Sequence, residues 1–283
     1  MRAVVQAELR RVGRWPALWV LCGSWLVLNL TFGYVFTYLS YRSEDGSGFA
    51  GGGSRAVLLS QMMPDQAPIT LVQGMPMFGG ALLMILGALT VGNGYGWGTW
   101  KTVFTTGPSR ITALGGTLLA IGSVVAGLIV LTLGLDLAAS FLVAAVEHQP
   151  AAWPTVTALA EGYGSALLIG CMWTAAGVLL GTLARGPALA VGLGLVWSLV
   201  VENLLRGVAV LLGPLRVFSD LLPGTAAGSL AGAIGAAPAS DPNGTPGVNT
   251  ILGGFGATAL LIGYLLAFAI VSLGLTARRD IAS

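Results

Sequence analysis

Charged residues are scarce in this sequence. Of its 283 residues, 8% are charged, with 13 Lys+Arg against 11 Asp+Glu, and the mean hydropathy is +0.85. A soluble domain carries about 25% charged residues, so this composition excludes an ordinary water-soluble protein and predicts a polytopic membrane protein. Lys101 is the only lysine, and the chain has no basic face for binding nucleic acid.

Histidine and cysteine are nearly absent as well, which removes most catalytic and metal chemistry. Cys22 and Cys171 both fall in apolar stretches and are expected to be small core residues rather than a disulfide or metal site. The single histidine, His148, lies in a turn-like segment. No phosphate-binding loop exists, because Lys101 follows Trp100 and Tyr95 stands where the first glycine is required. We therefore expect no catalytic residue, metal or cofactor in this chain, and no enzyme activity of its own.

Long apolar stretches are what the sequence has instead. A helix needs about 20 apolar residues to cross a bilayer, and six stretches meet that length. The prediction is an all-α transmembrane bundle forming a single domain, 1–283, in which the third stretch can continue past Asp136 to Val146. The six stretches are Trp15–Leu39, Ile69–Gly92, Ala113–Leu135, Tyr163–Leu183, Pro187–Leu205 and Ile251–Leu275.

The region 207–250 lies between the fifth and sixth stretches. Gly207–Leu222 is apolar but short and is interrupted by Pro214 and Arg216, which predicts a re-entrant or interfacial helical hairpin. Pro223–Thr250 is expected to be an outer loop, as are Ser40–Pro68 and Glu147–Gly162.

Basic residues concentrate on one side of this predicted bundle. With six spans both termini share a side, which holds nine of the 13 basic residues and two acidic ones, Glu8 and Asp280. By the positive-inside rule both termini are cytoplasmic. Residues 1–14 have Val5, Leu9 and Val12 on one helical face, which predicts either an amphipathic helix on the cytoplasmic leaflet or a simple basic anchor. The nine basic residues are Arg2, Arg10, Arg11, Arg14, Lys101, Arg110, Arg185, Arg278 and Arg279.

The cytoplasmic loop at 93–112 is unusually patterned. It contains several glycines, the aromatic residues Trp97 and Trp100, and a segment that can begin a short helix at Thr99 and end it at Pro108. Trp100 and Phe104 are four residues apart and would share one helical face. That face is predicted either to enter a groove on a partner protein or to lie among lipid headgroups.

This loop resembles the corresponding segment in the membrane subunits of type-2 ATP-binding-cassette transporters. Gly94 stands where that family has an acidic residue, and Thr117 stands where it often has a lysine at the start of the third span. Matching positions in the loop are Tyr95, Gly98, Thr99, Lys101, Pro108, Ser109 and Arg110. Further similar segments are Ala7-Glu8-Leu9-Arg10-Arg11, Leu222-Pro223-Gly224 and Arg278-Arg279-Asp280-Ile281.

The resemblance implies a permease of the cell membrane that forms the substrate path, with export as the expected direction. ATP and Mg would bind a separate cytoplasmic ATPase subunit, and a second membrane subunit, identical or different, would complete the pathway. The residues implied to couple this chain to the ATPase are Gly98, Thr99, Trp100, Lys101, Phe104, Ser109 and Arg110.

Three charged residues in or near apolar stretches are candidate functional groups: Asp136, Glu202 and Arg206. Glu202 and Arg206 are spaced to pair on one helix face, as an outer gate or as a purely structural ion pair. Asp136 can also simply mark the outer end of the third span.

The sequence also bears on two other functions. An intramembrane enzyme is disfavoured, because the spans contain no Gly-x-Ser-x-Gly motif, no Ser/His pair and no paired aspartates. A non-transporting scaffold or immunity-type binding subunit stays open. Gly177-x-x-x-Gly181 offers a close helix contact, which is expected within this chain rather than between two copies.

Overall fold

The computed structural model describes residues 1–43, 47–48, 51–52, 54–241 and 244–278. This part of the chain is helical almost throughout, with two-residue strands β1 (Ser47–Gly48) and β2 (Gly51–Gly52) paired antiparallel. Of the similar segment Arg278-Arg279-Asp280-Ile281, the residues after Arg278 lie outside the described part of the chain.

The helices are numbered here in chain order. They are α1 (Arg2–Gly13), α2 (Pro16–Arg42), α3 (Arg55–Gln61), α4 (Ala67–Gln73), α5 (Gly80–Gly96), α6 (Thr99–Thr106), α7 (Arg110–Val146), α8 (Val156–Ala184), α9 (Pro187–Ala209), α10 (Gly213–Asp220), α11 (Pro223–Ala233) and α12 (Gly254–Arg278). One 3₁₀ turn, Pro64–Gln66, precedes α4, and π-helical segments occupy Thr31–Val35, Met75–Gly79 and Val196–Val201.

Helix starts follow local signals in the sequence. Ser109 caps α7 by accepting a hydrogen bond from the Thr112 amide at 3.3 Å, and Thr155 caps α8 in the same way from Ala158 at 3.2 Å. Pro16 and Pro187 begin α2 and α9, where the missing amide proton of proline costs nothing.

Five helices are long and apolar enough to cross a membrane: α2, α7, α8, α9 and α12. They coincide with five of the six predicted stretches. α7 is one helix of 37 residues that runs on to Val146, as the sequence allowed.

The second predicted span, Ile69–Gly92, is not a single regular helix. It is divided into α4, the π-helical segment Met75–Gly79 and α5, which is a 17-residue helix. Pro76 explains the division, because proline lacks an amide proton and its ring clashes with the carbonyl one turn earlier. Apolar composition alone does not predict this interruption of the helix.

The region after α9 also differs from expectation. The expected loop Pro223–Thr250 is not irregular throughout, since it begins with helix α11, which is buried from Pro223 to Ala231. Glycine, alanine and serine make this helix thin enough to fit between α12 and the π-helical segment Met75–Gly79. The short helix α10 comes just before it, after a break at Leu212.

The tightest interface joins α5 to α8, and glycines make it possible. A side chain at Gly87 would meet the carbonyl of Thr174, and one at Gly177 would meet the carbonyl of Met84. Gly181 similarly lies against Ala88. The prediction that Gly177 and Gly181 serve packing within the chain is confirmed. We call this interface the glycine seam.

Candidate functional sites

The predicted coupling segment is a short helix held at one end of the bundle. α6 spans Thr99–Thr106, within the predicted limits. Gly98 precedes it with a φ of 68°, a left-handed conformation in which glycine is favoured. After Gly107 and Pro108, Ser109 starts α7, so α6 is joined to α5 and α7 by very short connections.

Trp100 fixes α6 to the rest of the protein. Its side chain is only 6% exposed, and its Nε1 donates a hydrogen bond to the carbonyl of Val91 at 3.2 Å. The indole ring lies against Gly94, where even a Cβ atom would overlap it. The absence of a side chain at Gly94 therefore makes room for this tryptophan.

Phe104 extends the same contact toward α7. Its ring stacks on Trp100 with centroids 5.2 Å apart, and the Arg110 guanidinium lies 5.8 Å from the Phe104 centroid. The two rings share one face, as predicted. That face packs against Ala113 and Leu114 of α7, so a docking role for Trp100 in a partner's groove needs correction, because the side chain is already buried in its own protein.

The surface that α6 leaves outward is polar. Lys101, Thr102 and Thr105 are exposed on it, and Thr99 is half-buried. Trp97, just before the helix, is 70% exposed. A partner approaching this end of the protein would meet these side chains rather than Trp100.

Asp136 does more than mark a helix end, because it belongs to a buried row of polar contacts between α2 and α7. Asn29 Nδ2 donates to Asp136 Oδ1 at 2.6 Å, and both residues are buried. Asp136 Oδ2 has no hydrogen-bond partner in the part of the chain that the structure describes. Asp136 lies deep between the two helices, not at the surface.

Similar contacts continue along both helices. Trp25 Nε1 donates to Thr132 Oγ1 at 3.0 Å, and the hydroxyls of Tyr34 and Ser140 are 3.0 Å apart. We call the row from Trp25 to its end at Glu147 the polar ladder. Its partners advance together along the sequence, so α2 and α7 run in the same direction.

A π-helical segment keeps the ladder in register. The partners are 107 positions apart at Trp25 and Asn29 but 106 apart at Tyr34. The segment Thr31–Val35 begins after Asn29 and contains Tyr34. A π turn accommodates one extra residue, which lets five residues of α2 match four of α7.

Glu147 closes the ladder just beyond the end of α7. It accepts hydrogen bonds from Tyr38 at 2.8 Å and Tyr41 at 3.0 Å, and it pairs with Arg42 at 3.0 Å. These contacts, led by the Tyr38 hydroxyl, lower the pKa of Glu147 from its ordinary value of 4.5.

Glu202 and Arg206 do not form the predicted ion pair. Glu202 is buried and accepts a hydrogen bond from Trp197 Nε1 at 3.1 Å, and its carboxylate faces the backbone amide of Gly224. Arg206 donates to the main-chain carbonyl of Glu202 at 3.4 Å and to Asn203 Oδ1 at 3.0 Å.

The position of Glu202 has a clear electrostatic reason. Gly224 lies in the first turn of α11, which has no side-chain cap of its own. A carboxylate is favoured where a helix begins, because the free amides and the helix dipole are positive there. Glu202 thus stabilises the start of α11 from a different helix, α9. The spacing of residues along α9 could not reveal this contact.

No model of a known protein family matches the chain, and no curated protein matches it.

Sequence reasoning missed Asn29, Tyr34 and Trp197 as partners of the charged or polar groups. An asparagine inside an otherwise apolar span is itself a signal, and Asn29 could have been recognised on that basis.

Proposed function

We propose that this chain is the transmembrane subunit of an ATP-driven transporter of the type-2 ATP-binding-cassette class, acting in efflux at the cell membrane. The observation that carries the proposal is the attachment of α6 to α5 and α7 through Trp100 and Phe104 at one end of the bundle. An ATPase outside the membrane can move the membrane-spanning helices only through a direct contact with this chain, and α6 offers such a contact.

The attachment suits force transmission. Trp100 joins α6 to α5 through the Val91 carbonyl, while Phe104 and Arg110 join it to α7. A displacement of α6 therefore acts on α5 and α7 together. The exposed residues Lys101, Thr102 and Thr105 are the proposed ATPase contact, and Trp100 is the anchor on the inner side.

A six-span topology is part of the proposal. α2 and α7 run in the same direction, so the chain must return across the bilayer between them. The segment from Ala67 to Gly96 is the proposed return, since about 30 helical residues cover about 45 Å. The positive-inside rule then places both termini, α1 and α6 in the cytoplasm. α10 and α11 form the proposed re-entrant element on the opposite side.

A second membrane subunit is part of the proposal. Within the most apolar window of each helix, 67% of α8 is buried, but only 17% of α9 and 11% of α12. Those exposed faces are available to lipid and to a second copy or a related subunit. ATP and Mg would bind the separate ATPase.

Co-purification with candidate ATPases, followed by substrate-stimulated ATP hydrolysis, tests the proposal. We expect a complex that is lost when Lys101→Glu and Thr105→Glu are combined on the outward face of α6. The matched control places the same two charges at Gln149 and Ala151, which are exposed beyond the far end of α7, and it should leave the complex intact. Failure of every ATPase to bind the wild-type chain would contradict the proposal.

A further inference from the structure

A cavity of about 200 Å³ lies between the end of α1 and the junction of α5 with α6. Its walls come from three separate parts of the chain: Arg11 and Arg14, Thr90 and Asn93, and Trp97 and Thr99. A water molecule occupies about 30 Å³ in the liquid, so the cavity has room for a polar group several times that size.

The charged groups around this cavity are mainly cationic. Arg11 uses Nη2 to contact Glu8 at 2.7 Å and the carbonyl of Thr90 at 3.4 Å. Its Nε is buried and has no hydrogen-bond partner among the described residues. Arg14 is exposed at the rim. Two guanidinium groups with one neighbouring carboxylate leave a net positive charge and a free donor.

The cavity also lies beside the beginning of a candidate membrane span. Span α2 begins at Pro16, directly after the lining residues Arg14 and Trp15, and α5 ends one residue before Trp97. Tryptophan is enriched where the hydrocarbon meets the headgroups. The cavity is therefore at the depth of lipid phosphates, whichever side of the membrane this end faces.

We propose that this cavity binds the phosphate of an anionic phospholipid. Arg11 and Arg14 supply charge-assisted hydrogen bonds to the phosphate oxygens, and the Asn93 amide and Thr99 hydroxyl supply neutral ones. The acyl chains extend along the apolar surface beside Trp15. A soluble phosphate ester offers the same headgroup chemistry, and the experiment distinguishes the two. The inference does not depend on the proposed transport function.

The test measures retention of phosphatidylglycerol on the purified full-length protein by native mass spectrometry, with phosphatidylcholine as the uncharged reference. Loss of one hydrogen bond to a bound phosphate is expected to change affinity about fivefold. We expect Arg14→Gln to weaken retention about fivefold, and Arg10→Gln, which removes the same charge from an exposed position of α1 outside the cavity, to change it less than twofold. Asn93→Leu, which keeps the net charge, should also weaken it.

Each outcome decides the matter. Equal losses for Arg14→Gln and Arg10→Gln, with no loss for Asn93→Leu, would show diffuse attraction and overturn the site. Equal retention of the two lipids would overturn it as well. Displacement of the lipid by millimolar glycerol 3-phosphate would assign the cavity to a soluble phosphate ester and overturn the lipid assignment. Arg14 has a rim position, so its substitution leaves the Arg11 contacts and the fold in place.

Discussion

The glycine seam and the polar ladder hold helices together by opposite means. The seam between α5 and α8 removes side chains so that backbones touch, as at Gly177 and Met84. The ladder between α2 and α7 keeps the helices apart and joins them by hydrogen bonds, as at Asn29 and Asp136. Apolar side chains gain little from leaving lipid, so close packing and polar contacts must both contribute. We expect the seam to accommodate no added side-chain atom. The ladder, in contrast, should accommodate the replacement of two hydrogen-bonded partners by two apolar side chains.

The largest effect is expected at the seam. Gly177→Ala places a Cβ on the Met84 carbonyl and forces the two backbones apart, which should cost about 3 kcal/mol of unfolding free energy, as for an overpacked core. Gly122→Ala in α7 is the matched control, because nothing lies within 4 Å of its added atom. Denaturation in mixed detergent measures both variants. An unchanged Gly177→Ala protein would mean that the seam is not tightly closed.

Removing one hydrogen bond of the polar ladder should lower the free energy of unfolding by less than the substitution in the seam. Asn29→Leu leaves Asp136 without its described partner, and we expect a loss of about 1–2 kcal/mol. Adding Asp136→Leu should recover part of that loss, because two apolar side chains leave no polar group unmatched. Asn203→Leu, which removes an exposed asparagine from α9, is the control. Simple additivity of the Asn29 and Asp136 losses would indicate that the two residues do not interact.

Glu202 combines features of both interfaces. Its carboxylate makes a polar contact, as in the ladder, and that contact reaches the backbone at a glycine, Gly224, as in the seam. Glu202→Gln should lower stability by about 1 kcal/mol, because it removes a charge from the start of α11. Trp197→Phe and Arg206→Gln should both be non-additive with it, because the indole donates to Glu202 and the guanidinium charge acts on the same carboxylate. Thermal unfolding of the single and double variants measures these couplings. Additivity of Glu202→Gln with Trp197→Phe would contradict the contact between the two side chains.

The smallest effect is expected at the exposed end of the ladder. Because the pKa of Glu147 is lowered on folding, its contribution is fully present above its ordinary value of 4.5 and is lost as pH falls through the lowered folded value. Stability should therefore decline below pH 4.5 by more in the wild type than in Glu147→Gln. Parallel pH profiles of the two proteins would contradict the contacts with Tyr38 and Tyr41.

Sequence alone predicted the features that depend on local rules. Five long apolar helices, the limits of α6 and the shared face of Trp100 and Phe104 all follow from composition, turn residues and helical spacing. The inward direction of Trp100 did not, because a buried and an interfacial aromatic give the same pattern in a short helix. Gly94 becomes informative only when the tryptophan is seen lying on it.

Contacts between distant segments were beyond the sequence for a different reason. Glu202 has Arg206 at a favourable spacing on its own helix, yet its carboxylate is stabilised by the start of α11. The ladder depends on the relative direction of α2 and α7 and on one extra residue in a π turn. The periodicity of the sequence indicates neither the contact of Glu202 with α11 nor the alignment of the ladder, because each arises only when the helices pack together.

Site-specific photo-crosslinking on α6 tests the central claim most directly. A photoreactive amino acid at Thr105, which is exposed, is compared with one at Val103, which packs toward Trp100. In membranes containing the cognate ATPase, the account predicts capture of the ATPase from position 105 and crosslinks only within this chain from position 103. Capture from position 103, or from neither position while the complex remains assembled, would contradict the assignment of α6 as the coupling helix.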